Sequence, residues 1–169
     1  MPWDRVRLQP PHAGRAMLGG LIGAVVVTAL MYLGLFAGIL RYNILHVIAS
    51  VSSFGEIVPS NSANYAYGIA FFTLFVVVAV PLCYAYWGYS YLPGAPWMRG
   101  LIAGLFLWFL MEMFMMPLAG QGVFAIRGEY PVLEIVTQFV LWAIYGVLLG
   151  FIAGPQEVWQ QRPHQERPA

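Results

Sequence analysis

The sequence contains no lysine; its eight basic residues are all arginine. Charged residues of any kind make up only 9% of the chain, against about 25% in a soluble domain. With 60% of residues hydrophobic, such a chain has too little polar surface to fold in water, and lipid is the expected solvent. The single cysteine, Cys83, excludes an internal disulfide and any multi-cysteine metal site. Lying inside an apolar run, it reads as a small packing residue. Histidine is also scarce. His12 and His164 fall in the polar segments at either end, which leaves His46 alone near the bilayer. Haem held between two histidines of opposing helices is therefore excluded, whereas a His–Met ligand pair is not. The net charge of +1 specifies no partner. No phosphate-binding loop, nucleophile–base arrangement or nucleic-acid patch is present.

What the sequence does have is four continuous apolar runs of about 20 residues, the length of a helix that crosses the hydrocarbon core. A transmembrane barrel would instead show alternating segments of about 10 residues. The expected fold class is therefore all-α, an integral membrane four-helix bundle over residues 15–154, with crossings near 16–40, 65–86, 97–118 and 131–153. The flanking segments 1–14 and 155–169 read as polar tails. The first run follows Arg5, Arg7 and Arg15 but exceeds the 7–15 residues of a signal core, so it is expected to be a retained helix. Between the first two crossings, Asn43 to Val51 is apolar but too short to span, and is expected to be an interfacial or half-inserted helix. Pro81 should kink the second crossing, and Pro131 suits the first turn of the fourth.

Small residues recur at a step of four. Ala16, Gly20, Ala24 and Thr28 share a face of the first crossing, Gly100 and Gly104 open the third, and Gly146 and Gly150 lie in the fourth. That spacing lets helix backbones approach closely. Gly20-Leu21-Ile22 reappears as Gly100-Leu101-Ile102, and Leu30-Met31 as Leu110-Met111. These matches suggest a duplicated two-helix hairpin, an arrangement known among transporters. Arginine placement puts Arg5, Arg7, Arg15, Arg99, Arg162 and Arg167 on one side, and Arg41 and Arg127 on the other. Positive-inside counting then places both termini in the cytoplasm of an inner-membrane protein. Tyr89 joins Trp87, Tyr91 and Trp97 as an expected aromatic marker of the inner interface.

The third crossing, WMRGLIAGLFLWFLMEMFMMPLAG, carries one carboxylate, Glu112, among four methionines. From the helical rise it lies about 10 Å inside the outer end. An ionised carboxylate at that depth is costly unless paired, so Glu112 should face protein or be protonated. Glu134 begins the fourth crossing, with Gln138 one turn further on. The short connection should bring Glu112, Glu134 and Gln138 together as a proton or cation site, or as a structural hydrogen-bond knot covered by Arg127 or Arg41. Glu134 has a bland explanation too, since a carboxylate in a first helical turn suits the helix dipole. Met111 and Met115 form an MxxxM pair of soft thioethers. That pair and the GxxxG motifs resemble copper-permeating channels. Those channels, however, have three crossings and N-terminal Met or His clusters that residues 1–14 lack, and methionine is also a flexible core filler. No metal and no cofactor are expected. Trp108 and Trp142 fall near mid-membrane, where each indole N–H needs an acceptor. They are expected either to line a groove between helices or, with His46, to contact a partner or lipid.

The Gly-rich start of the first crossing, PGAPWMRGLIAGLFLW at the entry to the third, MPLAGQGVFA at its exit and IYGVLLGFIAG at the end of the fourth form a pattern over residues 15–154. It resembles a family of small, uncharacterised bacterial inner-membrane proteins with four crossings. Members often carry His before the aromatic-x-Gly of the second and fourth crossings; here Asn64 and Trp142 stand there, so no His-based role is implied. The family has no established activity, and the resemblance implies architecture only. The function expected from sequence is that of a non-catalytic accessory subunit of a larger bacterial membrane complex, such as a respiratory oxidase, in contact with lipid and other integral subunits. The rival is a small transporter or channel for a proton, cation or copper, using Glu112 and the adjacent methionines.

Overall fold

The fold is known from a computed structural model, which describes residues 11–40, 43–51, 63–128 and 130–154. Five helices make up the described chain. They are α1 (Ala13–Phe36), α2 (Ile44–Val51), α3 (Tyr65–Tyr91), α4 (Pro96–Leu118) and α5 (Pro131–Ala153). All but α2 are long and apolar enough to cross a membrane. Among the described residues there is no strand. The protein is an all-α four-helix membrane bundle with one short extra helix.

Helix boundaries follow local chemistry. Pro96 and Pro131 occupy the first turns of α4 and α5, where a missing N–H costs nothing. The Asn43 side chain accepts a hydrogen bond from the Leu45 N–H at 2.9 Å and so caps α2. α1 stops at Phe36, short of the expected Leu40. Gly38 takes a left-handed φ of +70°, and the Ile39 and Leu40 N–H groups turn back to the Gly34 carbonyl. This places buried Leu40 against Gly34, a glycine-terminated helix end with its usual hydrophobic contact. α3 differs in the other direction. It runs on to Tyr91, past the expected end near residue 86. Arg99 secures that end, donating to the Tyr89 carbonyl at 2.8 Å and the Gly94 carbonyl at 2.9 Å. Its guanidinium also lies 4.5 Å from the centre of the Tyr89 ring. Tyr89 is buried by this contact rather than set at the lipid interface.

α5 is the central helix, packed on α4 along one side and on α1 along another, while α1 also packs on α3. Glycine sets each distance. A β-carbon on Gly100 would strike the Gly146 carbonyl, and one on Gly104 the Trp142 carbonyl. One on Gly150 would strike the Pro96 carbonyl. The α1 stripe divides. Gly19 and Gly23 face Leu149 and Tyr145 of α5, whereas Gly20 faces the Pro81 ring and the Val76 carbonyl of α3. Ala24 is half-buried beside them. Gly20 and Gly100, matched in the sequence repeat, thus each face the following long helix, but α3 is interrupted where α5 is regular.

α2 lies against the start of α3. Gly68 there approaches Ala49 so closely that an added β-carbon would come within 2.6 Å of its Cα, and the His46 ring meets the Tyr65 ring at 4.6 Å. His46 thus packs within the chain. The residues of 1–10 and 155–169 lie outside the described residues. So do Arg41, the Pro-Ser-Asn-Ser stretch at 59–62 and the Asn64 side chain, along with Arg5, Arg7, Arg162 and Arg167 of the orientation argument.

Candidate functional site

Two of the crossings contain π-helical segments, and two of these segments stand just ahead of a proline. In α3 the segment is Phe75–Ala79, and the Val80 N–H bonds the Phe75 carbonyl five residues back. The next donor in that pattern belongs to Pro81, which has none. The Val76 carbonyl is thereby deprived of its helical partner. Tyr145 of α5 supplies the substitute, donating its hydroxyl at 2.6 Å. In α4 the same arrangement recurs. The segment is Met111–Met115, the Met116 N–H bonds the Met111 carbonyl, and Pro117 follows. The carbonyl that loses its donor here is that of Glu112. π-Bulges of this kind recur at functional sites.

The side chain of Glu112 is 0% exposed, and neither of its oxygens has a hydrogen-bond partner among the described residues. Its surroundings follow from the glycine register. Gly100 sits between Gly146 and Gly150, and Gly104 between Trp142 and Gly146. Each step of four along α4 moves one step of four back along α5, as expected when i±4 ridges interlock. Continued, the register sets Trp108 between Gln138 and Trp142, and Glu112 between Glu134 and Gln138. The Trp108 ring indeed meets Phe139 at 5.2 Å, and Glu134 lies within electrostatic reach of Glu112. Gln138 is 2% exposed and Glu134 7%. The Gln138 Nε2 and Trp108 Nε1 donors are both buried without a partner among the described residues. Glu112 and Glu134 are thus electrostatic neighbours, and the buried donors of Gln138 and Trp108, on the same stretch of the α4–α5 seam, have no partner among the described residues.

The connection from α4 to α5 closes the end of this seam. Gly120 and Gly122 take positive φ, and so do Phe124 (φ 53°) and Ala125 (φ 48°). Non-glycine residues rarely adopt that region. The strain turns the loop inward. Ala125 becomes fully buried, and the Phe124 ring rests on Trp108 and Phe109 at 6.0 and 6.2 Å. Gly128 lies against the Glu134 carboxylate, where a β-carbon would come within 2.8 Å of Oε2. Arg127, expected to cover the charge, is exposed and makes no hydrogen bond to Glu112. Arg41 lies outside the described residues.

Several expectations are corrected here. Trp142, expected at a partner or lipid surface, is 5% exposed and packs edge-on against Tyr145 at 5.6 Å. Trp108 is half-buried against Phe124 and Phe139, with its N–H turned inward. Met111 is buried and Met113 exposed, so the methionines around Glu112 face different surroundings. Met111 and Met115 line an apolar groove with Ile48, Phe71, Phe75 and Leu107. No group of three or more His, Cys, Asp or Glu side chains able to hold a metal occurs among the described residues. Sequence reasoning missed Tyr145. Its signal was present, since it lies seven residues beyond Gln138 on the same helical face, with a proline two helices away.

No curated protein and no solved structure matches this chain. A family profile does, over residues 11–165, which takes in every crossing and the whole α4–α5 seam. The chain belongs to that family, a family of unknown function designated DUF6789.

Proposed function

We propose that the protein is a small multi-pass membrane transporter or channel that binds a proton or cation at Glu112. One observation carries this reading. A fully buried carboxylate, with both oxygens unpartnered among the described residues, sits at an interrupted turn of a membrane-crossing helix. A purely structural carboxylate at such a position is expected to be hydrogen-bonded, because burying an unpaired polar group is costly. Ionisable groups that are kept within a bilayer at this expense mark ion or proton routes. Glu134, Gln138 and the inward loop enclose the site. The proposal includes the inner membrane with cytoplasmic termini, which Arg15 and Arg99 at one end of the bundle favour. It assigns no catalysis and needs no copper at Met111 and Met115.

The test is ion movement in proteoliposomes under an imposed potential, read for protons and for monovalent cations. Glu112→Gln preserves shape and removes the ionisable group. Flux in the parent and none in the variant supports the reading; equal flux in both overturns it.

A second reading is that the protein is an accessory subunit of a larger complex, such as an electron-transfer assembly. The apolar groove of about 200 Å³ between α2, α3 and α4 favours it, since a host subunit could lay an apolar segment there. Gentle purification from native membranes, with co-purifying chains identified by mass spectrometry, tests it. Stoichiometric partners support it, and isolation of the chain alone counts against it.

A further inference from the structure

The four crossings form a ring that does not close. α5 packs on α4 and on α1, and α1 packs on α3. α3 and α4 meet chiefly where Tyr84–Gly88 comes against the first part of α4, beside the turn that joins them. Toward its start α3 leans on α2 instead, and Gly68 lets the two backbones touch at Ala49. The space left between α3 and α4 is the apolar groove of about 200 Å³. Ile48 of α2 forms one wall, Phe72 and Phe75 of α3 the second, and Leu110, Met111 and Met115 of α4 the third. Both interrupted turns border it. Phe75 opens the π segment of α3, and Met111 and Met115 bound that of α4.

The chemistry of the groove says what covers it. Every described residue that lines it is apolar, so it offers nothing to an ion or to a polar headgroup. Its α3 and α4 walls belong to helices that cross the membrane. Its rim residues Phe71 and Phe114 are 57% and 58% exposed, which makes the groove continuous with the lipid-facing surface of the bundle. A helix is about 10–12 Å across and needs more than this volume for a single turn, so a helix of another protein can rest on the rim but not enter. A hydrocarbon chain is a single file of methylenes, and it brings no backbone polar group that would go unsatisfied there.

We propose that the groove seats one fatty acyl chain of a bilayer phospholipid, held more firmly than the chains that surround the bundle. Inside a membrane no hydrophobic force distinguishes protein from lipid, and association rests on van der Waals contact. A chain lying on the convex face of one helix is touched from one side. A chain in this groove is touched by α2, α3 and α4 together. An unfilled groove would leave those walls without partner atoms and forfeit the contacts. Thioethers adapt to an irregular occupant, which suits Met111 and Met115 to this wall. The seated chain holds α3 and α4 apart at the level of their π turns. Two of its contacts also back onto polar positions: Met111 precedes Glu112, and Phe72 lines the small cavity shared with Gln138. Such a seat stands whether or not an ion moves at Glu112.

The test uses the full chain in nanodiscs of phosphatidylethanolamine and phosphatidylglycerol. A small fraction of the phosphatidylethanolamine carries a photoreactive diazirine halfway along one chain, and labelled peptides are mapped by mass spectrometry. Labelling within 71–75 and 110–115 should exceed that at the exposed Val25 and Val132 at least fivefold. It should level off near one lipid per chain as the labelled fraction rises, while labelling at Val25 and Val132 keeps increasing. Leu110→Trp fills the groove and should lower its labelling several-fold without changing the other two positions. Met115→Phe fills it less and keeps the test open if Leu110→Trp fails to fold, as checked by gel filtration and circular dichroism. Labelling spread evenly over all exposed faces, or unchanged in a folded filled variant, overturns the seat. A photoreactive benzoylphenylalanine at position 114, irradiated in native membranes, reports the rival occupants. A lipid adduct there supports the proposal, and an adduct to a second copy or to another protein overturns it.

Discussion

The Tyr145 hydroxyl donates to the Val76 carbonyl at 2.6 Å, joining the middle of α5 to the middle of α3. The bond answers a defect in α3, because Pro81 has no N–H to offer that carbonyl. Removing the hydroxyl strands a buried acceptor, which costs about 1–3 kcal/mol. Tyr145→Phe should lower stability by that amount in detergent unfolding. Pro81→Ala restores a backbone donor, so the Tyr145→Phe penalty should shrink in that background. A double-mutant cycle with no coupling between the two changes would show that the bond does not compensate for the proline.

The glycines of the α4–α5 contact are expected to tolerate nothing larger. Gly146→Ala forces a β-carbon into the Gly100 carbonyl and should cost about 1–3 kcal/mol. Gly146→Leu should abolish monodisperse folding. Gly14 has no atom within 4 Å of an added β-carbon, so Gly14→Ala should be neutral or stabilise by about 0.5–1 kcal/mol. Thermal unfolding of the two alanine variants side by side checks both statements.

Arg99 holds the end of α3 through two carbonyls and the Tyr89 ring. Arg99→Ala should cost about 1–2 kcal/mol and raise amide exchange from Tyr89 to Tyr91. Arg99→Lys should recover little of this, since one ammonium does not reproduce a planar fork. Unchanged exchange in the alanine variant would remove Arg99 from the account of why α3 extends past Gly88.

Met111 and Met115 are apolar wall residues of the groove. Replacing both by Leu should change stability by under about 1.5 kcal/mol, as volume-conserving swaps do. It should leave ion flux intact. Loss of flux, with copper bound to the parent protein and not to the variant, would revive a thioether site.

Much of the fold was legible in the sequence. Four runs of bilayer length, glycines four apart and N-terminal prolines are local signals, and lipid leaves helices as the only way to satisfy the backbone. The α4–α5 seam was also written there. Gly100, Gly104, Trp108 and Glu112 step by four along one helix, and Gly150, Gly146, Trp142, Gln138 and Glu134 step back along the other. Trp142 was misplaced on a surface because apolarity does not separate a lipid face from a protein face inside a membrane. The ends of α1 and α3 were misjudged because a glycine in left-handed conformation and an arginine from the next helix decided them. The Tyr145–Val76 bond went unread although Pro81 and the face of Tyr145 were visible, because the π turn that decides which carbonyl the proline leaves free has no trace in hydropathy.

The central claim is that Glu112 is kept for function at the expense of the fold. It is tested most directly by measuring unfolding and proton flux on the same preparations of the parent and two variants, Glu112→Gln and Glu112→Met. Methionine fills the site without a buried unpaired carboxyl, and should raise stability by about 1–3 kcal/mol. Glutamine should leave the protein folded. The account predicts that flux is lost in both variants while the bundle stands. Flux retained in Glu112→Gln, or a bundle that collapses in both variants, would contradict it and return Glu112 to a structural role.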